Sequence, residues 1–311
     1  MSINSINTKK FAFVGVSTTE SSVNKYFDAW AKLLGQSWRL VHMDAALGDS
    51  VRLRQHLYEL RDNPELIGAL VTSHKAPVYE LGSVLGLEEV EPAGSLCEAG
   101  FLDKVNGRLR MRVSDVDSQK PVMRRLVADP HVEGGDFLVL GAGGAGLAFA
   151  WNAAVESIGR PRSVTVIESD ASRVSRAREI VGKWYVESPV MVDHISLSAA
   201  LESFSQGDTQ VTFVVNASGE GKDRISSPCN VEGFSDRPLT FWDFNYRGSL
   251  DLLRAFESLP NENLVTEDGL EYFYGGWSVV MSGVAGLRWN ASVAESFGDA
   301  AKMIDATALP S

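Results

Sequence analysis

Gly141-Ala142-Gly143-Gly144-Ala145-Gly146 follows an apolar run that begins Asp136-Phe-Leu-Val-Leu and precedes a second apolar stretch. This GxGxxG spacing permits a tight turn and lets backbone N–H groups approach a pyrophosphate at a helix start. About 20 residues beyond Gly146, where such a fingerprint expects the carboxylate that takes a ribose diol, stands Glu168, with Ser169 beside it. A carboxylate there accepts from ribose hydroxyls and repels a 2′-phosphate, so NAD is expected over NADP. Asp170 adds to that repulsion, and Arg173 and Arg176 offset part of it or lie on a solvated helix face. Elsewhere the residues suited to proton transfer are Lys75, just after a short β-rich run, and Asp115, with Asp117 two residues on and sharing its face if the segment is extended. His74, next to Lys75, reads as a polar site residue or a solvated one.

The elements that must position these groups alternate between β-rich and helical runs, which predicts βα units and a largely parallel sheet. Strands are expected at 10–17, 38–43, 66–72, 136–141, 163–168, 190–195, 211–217 and 239–244. Helices are expected at 23–34, 51–61, from Pro77 toward Leu85, at 120–127, 146–158 and as a terminal pair from Gly275 onward. Asn106-Gly107 is a hairpin signal between 100–105 and 108–113.

The 311 residues suggest two domains. Apolar residues form 44 % and charged residues 22 %, the composition of a globular chain. With 29 Lys and Arg against 40 Asp and Glu the net charge is −11, which disfavours nucleic acid as a partner. Two cysteines, Cys97 and Cys229, lie far apart without clustered histidines, so neither a disulfide scaffold nor a metal site is expected. The opening residues lack the apolar run of a secretory signal. Phe137 to Val155 carries no charge and imitates a membrane span, but strand, phosphate loop and buried helix explain it better. A cytoplasmic protein, a monomer or homodimer acting on a small molecule and bound to no membrane, is expected.

Six segments in order give the chain a resemblance to the shikimate/quinate dehydrogenase family. Gly15 to Gly35 is similar to the family's first strand, serine-bearing loop and first helix, and Leu70-Val-Thr-Ser-His-Lys75 to its VTxPxK segment. Gly107 to Asp115 aligns with the stretch ending in NTD, and GAGGAG with the phosphate loop. Asn216-Ala217-Ser218-Gly-Glu-Gly221 resembles NATSxG, and Asp243-Phe-Asn-Tyr246 resembles DxxY. The resemblance implies an α/β fold: an N-terminal α/β substrate-binding domain, residues 1–117 completed by 275–311, and a Rossmann-type NAD(P)-binding domain, 118–274, with a cleft between them.

It also implies Lys75 and Asp115 as the catalytic pair, with Lys75 exchanging the proton. Cofactor contacts fall on Gly141, Gly143, Gly144, Ala145, Gly146, Glu168, Ser169, Asn216, Ala217 and Ser218. Substrate contacts fall on Ser21, Val23, Thr72, Tyr246 and Met281. At several of these the chain departs from the family. The paired hydroxyls that hold the substrate carboxylate become Ser21 and Val23, the asparagine before VT becomes Ala69 or Leu70, and the threonine falls on Val71 or Thr72. The proline becomes Ser73, NTD begins at Val113 with Ser114 next, and the late glutamine falls near Met281 or Ser282. Each lost partner for a buried hydroxyl or carboxylate costs about 1–3 kcal/mol. The expected substrate is therefore a small cyclic or polyol acid other than shikimate, anchored in part by Ser22, Asn24 and Lys25. Tyr272-Phe273-Tyr274 with Trp277 offers an apolar lining. A true quinate or shikimate dehydrogenase, and a nucleotide-binding sensor without catalysis, are the rival readings.

Overall fold

The computed structural model describes residues 8–206, 210–221 and 229–308. Residues 1–7, read above as free of a secretory signal, lie outside the described residues. In chain order the elements are β1 (Lys10–Gly15), α1 (Phe27–Leu33), β2 (Arg39–Asp44), α2 (Ser50–Asp62), β3 (Leu66–Val71), α3 (Lys75–Val84), β4 (Glu88–Glu89) and α4 (Ala93–Leu96). The hairpin β5 (Phe101–Val105) and β6 (Arg108–Arg112) leads to α5 (Asp115–Leu126), β7 (Asp136–Leu140), α6 (Gly144–Ala154), β8 (Ser163–Glu168), α7 (Ala171–Val181) and β9 (Val190–His194). Then come α8 (Leu197–Gln206), β10 (Val211–Asn216), β11 (Leu239–Asp243), α9 (Asp251–Glu257), β12 (Leu264–Glu267), α10 (Leu270–Val284) and α11 (Ala291–Ala308).

The chain divides into two compact units, one up to Ser114 and again from Tyr274 onward, the other Asp115–Phe273. The first division falls just before α5 and the second inside α10. The first unit holds a mixed sheet of order β2-β1-β3-β5-β6-β4, in which β1, β2 and β3 are parallel and β5 runs antiparallel to both neighbours. A largely parallel sheet therefore describes only half of this unit, because a two-residue turn can join only antiparallel strands. Asn106 and Gly107 both take positive φ, 51° and 76°, as that turn requires.

Alternation along β1 sends its residues to opposite faces. Ala12 and Val14 join Leu53, Leu57 and Leu60 of α2 and Val78 of α3 in one core cluster. Phe11 stacks on Trp38, and Phe13 meets the edge of Trp277 at 5.1 Å between ring centroids. Trp30 of α1 stacks on Phe297 of α11 at 5.1 Å and donates its indole N–H to the Phe297 carbonyl at 2.9 Å. These aromatics bring the C-terminal helices back onto the first sheet.

The second unit has an all-parallel sheet of order β12-β11-β10-β7-β8-β9. Its central strand β7 is buried throughout, as a strand covered on both faces must be. Leu138 and Leu140 pack with Leu201, Phe241 and Phe256, while Phe137 packs on Phe149 and Phe213. The strand order reverses between β7 and β10, and open α/β sheets bind ligands beyond the strand carboxyl ends at such a point.

Several boundaries differ from the sequence expectation. The first helix is broken: a 3-10 turn at Ser22–Lys25 precedes α1 at Phe27. The helix expected at 120–127 begins at Asp115 and carries Pro121 in its interior. The glycine-loop helix starts at Gly144 rather than Gly146, since small residues at a helix start conceal it from hydrophobic periodicity. The short α4, β4 and α9, of four, two and seven residues, are too brief for a sustained hydrophobic pattern. Among the described residues no helix is long and apolar enough to cross a membrane, and no three His, Cys, Asp or Glu gather as a metal site.

Candidate functional site

In the second unit a pocket is lined by Gly141, Gly143, Glu168, Ser169, Arg173, Ala217, Ser218 and Glu220, over an apolar floor that includes Ile167. Six of these residues come from the sequence-derived cofactor set, and the sheet topology brings them together from three separate strand ends.

The glycines of the loop have different duties. Gly141 takes φ 107°, and a Cβ there would meet the Ala217 backbone at 2.8 Å, so the loop lies directly against the turn after β10. A Cβ on Gly146 would collide with the Gly141 carbonyl, which lets α6 start tight against the loop. Gly143 faces open space within 4 Å. It is the N-cap of α6 and offers no side chain, so the first N–H groups of the helix remain for a ligand. An anionic pyrophosphate fits this arrangement of donors, opening and helix dipole.

Glu168 is buried. Its Oε1 accepts from the Ser169 and Asp170 N–H groups at 2.9 and 3.0 Å, and its Oε2 from the Ala142 N–H at 3.3 Å. The carboxylate therefore joins the β8–α7 turn to the glycine loop while remaining on the pocket wall. Arg173 lines the same pocket, with Nη1 3.9 Å from Glu168 Oε2, so it is not merely a solvated helix residue. Asp170 is instead the N-cap of α7, accepting from the Arg173 N–H, and the Ser172 hydroxyl bond, followed by this backbone bond, lowers its carboxyl pKa.

Asn216 is wholly buried and presents no surface to a cofactor, which corrects its expected role as a direct contact. Its amide donates to Asp243 Oδ1 at 3.1 Å and to the Glu220 carbonyl at 3.3 Å, and its oxygen accepts from Ser218 Oγ at 2.6 Å. It shapes the turn from which Ala217, Ser218 and Glu220 line the pocket. Tyr246 stacks on Phe273 at 4.5 Å. Sequence reasoning missed Gln119, whose amide donates to the Ala145 carbonyl at 2.9 Å, because nothing in a helical glutamine signals such a bond.

In the first unit, polar groups gather where β1, β2 and β3 end. The Thr18 N–H donates to Asp44 Oδ1 at 3.0 Å and its hydroxyl lies 2.9 Å from His42 Nδ1. Thr72 is exposed, and its methyl approaches Gly15 so closely that a Cβ there would lie 2.7 Å away. His74 is 1 % exposed and neither solvated nor free to face a ligand. Its Nε2 lies 2.9 Å from the Ala45 carbonyl and 3.2 Å from that of Gly15, so this nitrogen carries the proton. The ring ties the ends of β1 and β2 to the start of α3, where Lys75 is the first residue and half-buried. Ser21 is half-buried in the loop before the 3-10 turn.

Val23 and Met281, expected to touch substrate, are both 0 % exposed and serve as apolar packing. Trp277 and Tyr274 likewise belong to the aromatic core of the first unit rather than to a ligand wall. Lys25 is engaged by Asp305 and is no free anchor. In α5 of the second unit Asp115 is buried, whereas Asp117 is half-exposed and 3.4 Å from Lys120. Because the segment is helical, residues two apart face different ways and the two aspartates do not share a face.

No family model matches the chain. Solved structures do match it over nearly its whole length. Shikimate dehydrogenase from Listeria monocytogenes, in complex with shikimate and NAD, is 16 % identical with a TM-score of 0.72, covering 95 % of this chain and 98 % of that one. The chain has the shikimate dehydrogenase fold. The enzyme of that name from Aquifex aeolicus is 17 % identical with a TM-score of 0.71, over 94 % of this chain and 98 % of the other. The 5-ketofructose reductase of Gluconobacter sp. strain CHM43 shares the shikimate dehydrogenase fold equally, at 17 % identity, a TM-score of 0.68 and coverage of 96 % and 99 %. Among curated proteins, the 33 kDa chaperonin of Staphylococcus aureus is 24 % identical over 132 residues, 41 % of this chain. That match spans 44 % of the chaperonin, less than half its length.

Proposed function

We propose that the chain is an NAD-dependent oxidoreductase interconverting a secondary alcohol and a ketone on a small cyclic or polyol acid other than shikimate. The observation that carries this reading is the pocket formed by Gly141, Gly143, Glu168 and Ser218 at the switch point of the second sheet. Dinucleotide binding is assigned to the second unit, and substrate recognition to the first with Tyr246 and Asp115 of the second.

A nicotinamide cofactor held by the glycine loop, Glu168, Ala217 and Ser218 supplies or takes up the hydride. Glu168, already oriented by three backbone N–H groups, has lone pairs left for a ribose diol and places a negative charge where NADP carries its 2′-phosphate. Lys75 exchanges the hydroxyl proton as the alcohol is oxidised or the ketone reduced, and Asp115 is the second proton-handling residue. Ser21 and Thr72 offer hydroxyls to the substrate, and Tyr246 a phenol. With Val23 committed to the core, one partner for a substrate carboxylate is missing, which favours a substrate other than shikimate.

The neighbour named a 5-ketofructose reductase supports including neutral polyols and keto-sugars in the substrate search. We further place the chain in the cytoplasm as a monomer or homodimer. The decisive experiment is an NAD-reduction screen over quinate, shikimate, their amino analogues and cyclic and acyclic polyols. Turnover of a member other than shikimate or quinate is expected. Turnover of shikimate or quinate alone would establish the conventional enzyme, and tight NAD binding without turnover on any member would establish a sensor.

A further inference from the structure

Beneath the turn that lines the nucleotide pocket lies a carboxyl group with no exposure to solvent. Asp243, the last residue of β11, accepts at Oδ1 from the Asn216 amide at 3.1 Å and from the Asn245 N–H at 2.9 Å. Its Oδ2 is buried without a hydrogen-bond partner among the described residues. Asn216 and Asn245 both donate to the Glu220 carbonyl, at 3.3 and 2.8 Å, so these bonds fold the 216–220 turn around Asp243. A buried carboxylate oxygen without a donor is costly when charged and inexpensive when it carries a proton.

We propose that Asp243 is a positioning residue for the nucleotide-binding turn, and that anionic nucleotide prefers the protein with Asp243 protonated, so binding draws a proton onto its unpartnered oxygen. The inference rests on the dinucleotide reading of this pocket. Its electrostatic sense follows from the surroundings. Asp268, ahead of α10, already opposes ionisation, and Glu168 and Glu220 line the pocket against one cation, Arg173. Burial pushes the Asp243 carboxyl up to about 6, within the range where such a preference is measurable. A pyrophosphate adds negative charge above the turn, and a charge that disfavours ionisation must, by linkage, itself be bound more weakly once the group ionises. His194, at the end of β9, faces the same region through its Nε2, 3.0 Å from the Ser169 carbonyl, and serves as the control position in the test.

The test is NAD affinity of the full chain by calorimetry between pH 5.5 and 7.5, in two buffers of different ionisation enthalpy. The expected result is weakening of roughly five- to tenfold as pH rises, with net proton uptake near pH 6. In D243N both are lost, while H194Q retains them. A flat profile in the wild type, or one that survives D243N and vanishes in H194Q, overturns the inference. If D243N does not fold, proton uptake that persists in H194Q supports the inference and uptake lost in H194Q overturns it. Failure of the wild type to bind NAD or NADP at any pH would instead overturn the dinucleotide reading.

Discussion

Gln119 of α5, itself buried, donates its side-chain amide to the carbonyl of Ala145 in the glycine loop at 2.9 Å. One turn earlier on the same helix, the Val116 carbonyl accepts from Asn152 of α6, also at 2.9 Å. Two side-chain amide bonds thus lock the helix that begins with Asp115 to the helix that begins in the glycine loop. Q119L removes this donor and with it one of the two bonds between α5 and α6. Urea unfolding should show a loss of about 1 kcal/mol, accompanied by weaker NAD binding.

Lys75 and the glycine loop belong to different units, so their contributions should separate. K75A is expected to reduce turnover by at least 100-fold while changing the Kd for NAD less than twofold, as general acid–base groups typically contribute about 100- to 10,000-fold. Steady-state kinetics and a direct binding titration check it, and equal losses in both would remove Lys75 from its assigned role.

Glycine substitutions distinguish a loop built for a ligand from one built for packing. G143A places a methyl in open space, so melting temperature should barely change while nucleotide affinity falls. G146A drives a methyl into the Gly141 carbonyl, so stability itself should fall. Thermal melts with and without NAD read both effects.

The proposed preference for NAD is carried by Glu168. E168Q keeps the shape but removes the charge, and should narrow the preference for NAD over NADP by about tenfold, equivalent to about 1.4 kcal/mol. Paired affinity measurements check this. Arg173, on the same pocket wall, predicts that R173A weakens NADP more than NAD.

Stability should depend on pH through Asp243. Its folded-state carboxyl is raised from the ordinary 3.8 to about 6, chiefly by burial. The protonated form is therefore the one the fold favours. That contribution, on the order of 3 kcal/mol, is fully present below about pH 4 and lost as pH rises through about 6. Chemical denaturation of the wild type and D243N from pH 4.5 to 8 measures it, with a smaller slope expected in the variant.

Much of this was legible in residue order. The GxGxxG after a β-run, Glu168 about 20 residues on, and the Asn106-Gly107 turn each depend on local backbone geometry, which neighbouring residues determine. The alternation of βα units likewise implied a parallel sheet, and the second unit has one. What residue order left open depended on partners distant in the chain. Whether Asp115 and Asp117 share a face depended on a helix that starts earlier than its apolar pattern. Val23 and Met281 looked like substrate positions until packing assigned them to the core. His74 became a buried strut because two carbonyls from other loops converge on its Nε2. Asp243 acquired a titratable role because folding buried one of its oxygens without a donor. Local motifs are written in short stretches of chain, whereas burial and pairing exist only after distant segments meet. The sequence alone therefore determined the glycine loop and the carboxylate beside it, and the tertiary structure decided which neighbouring side chains line the pocket and which hold its walls in place.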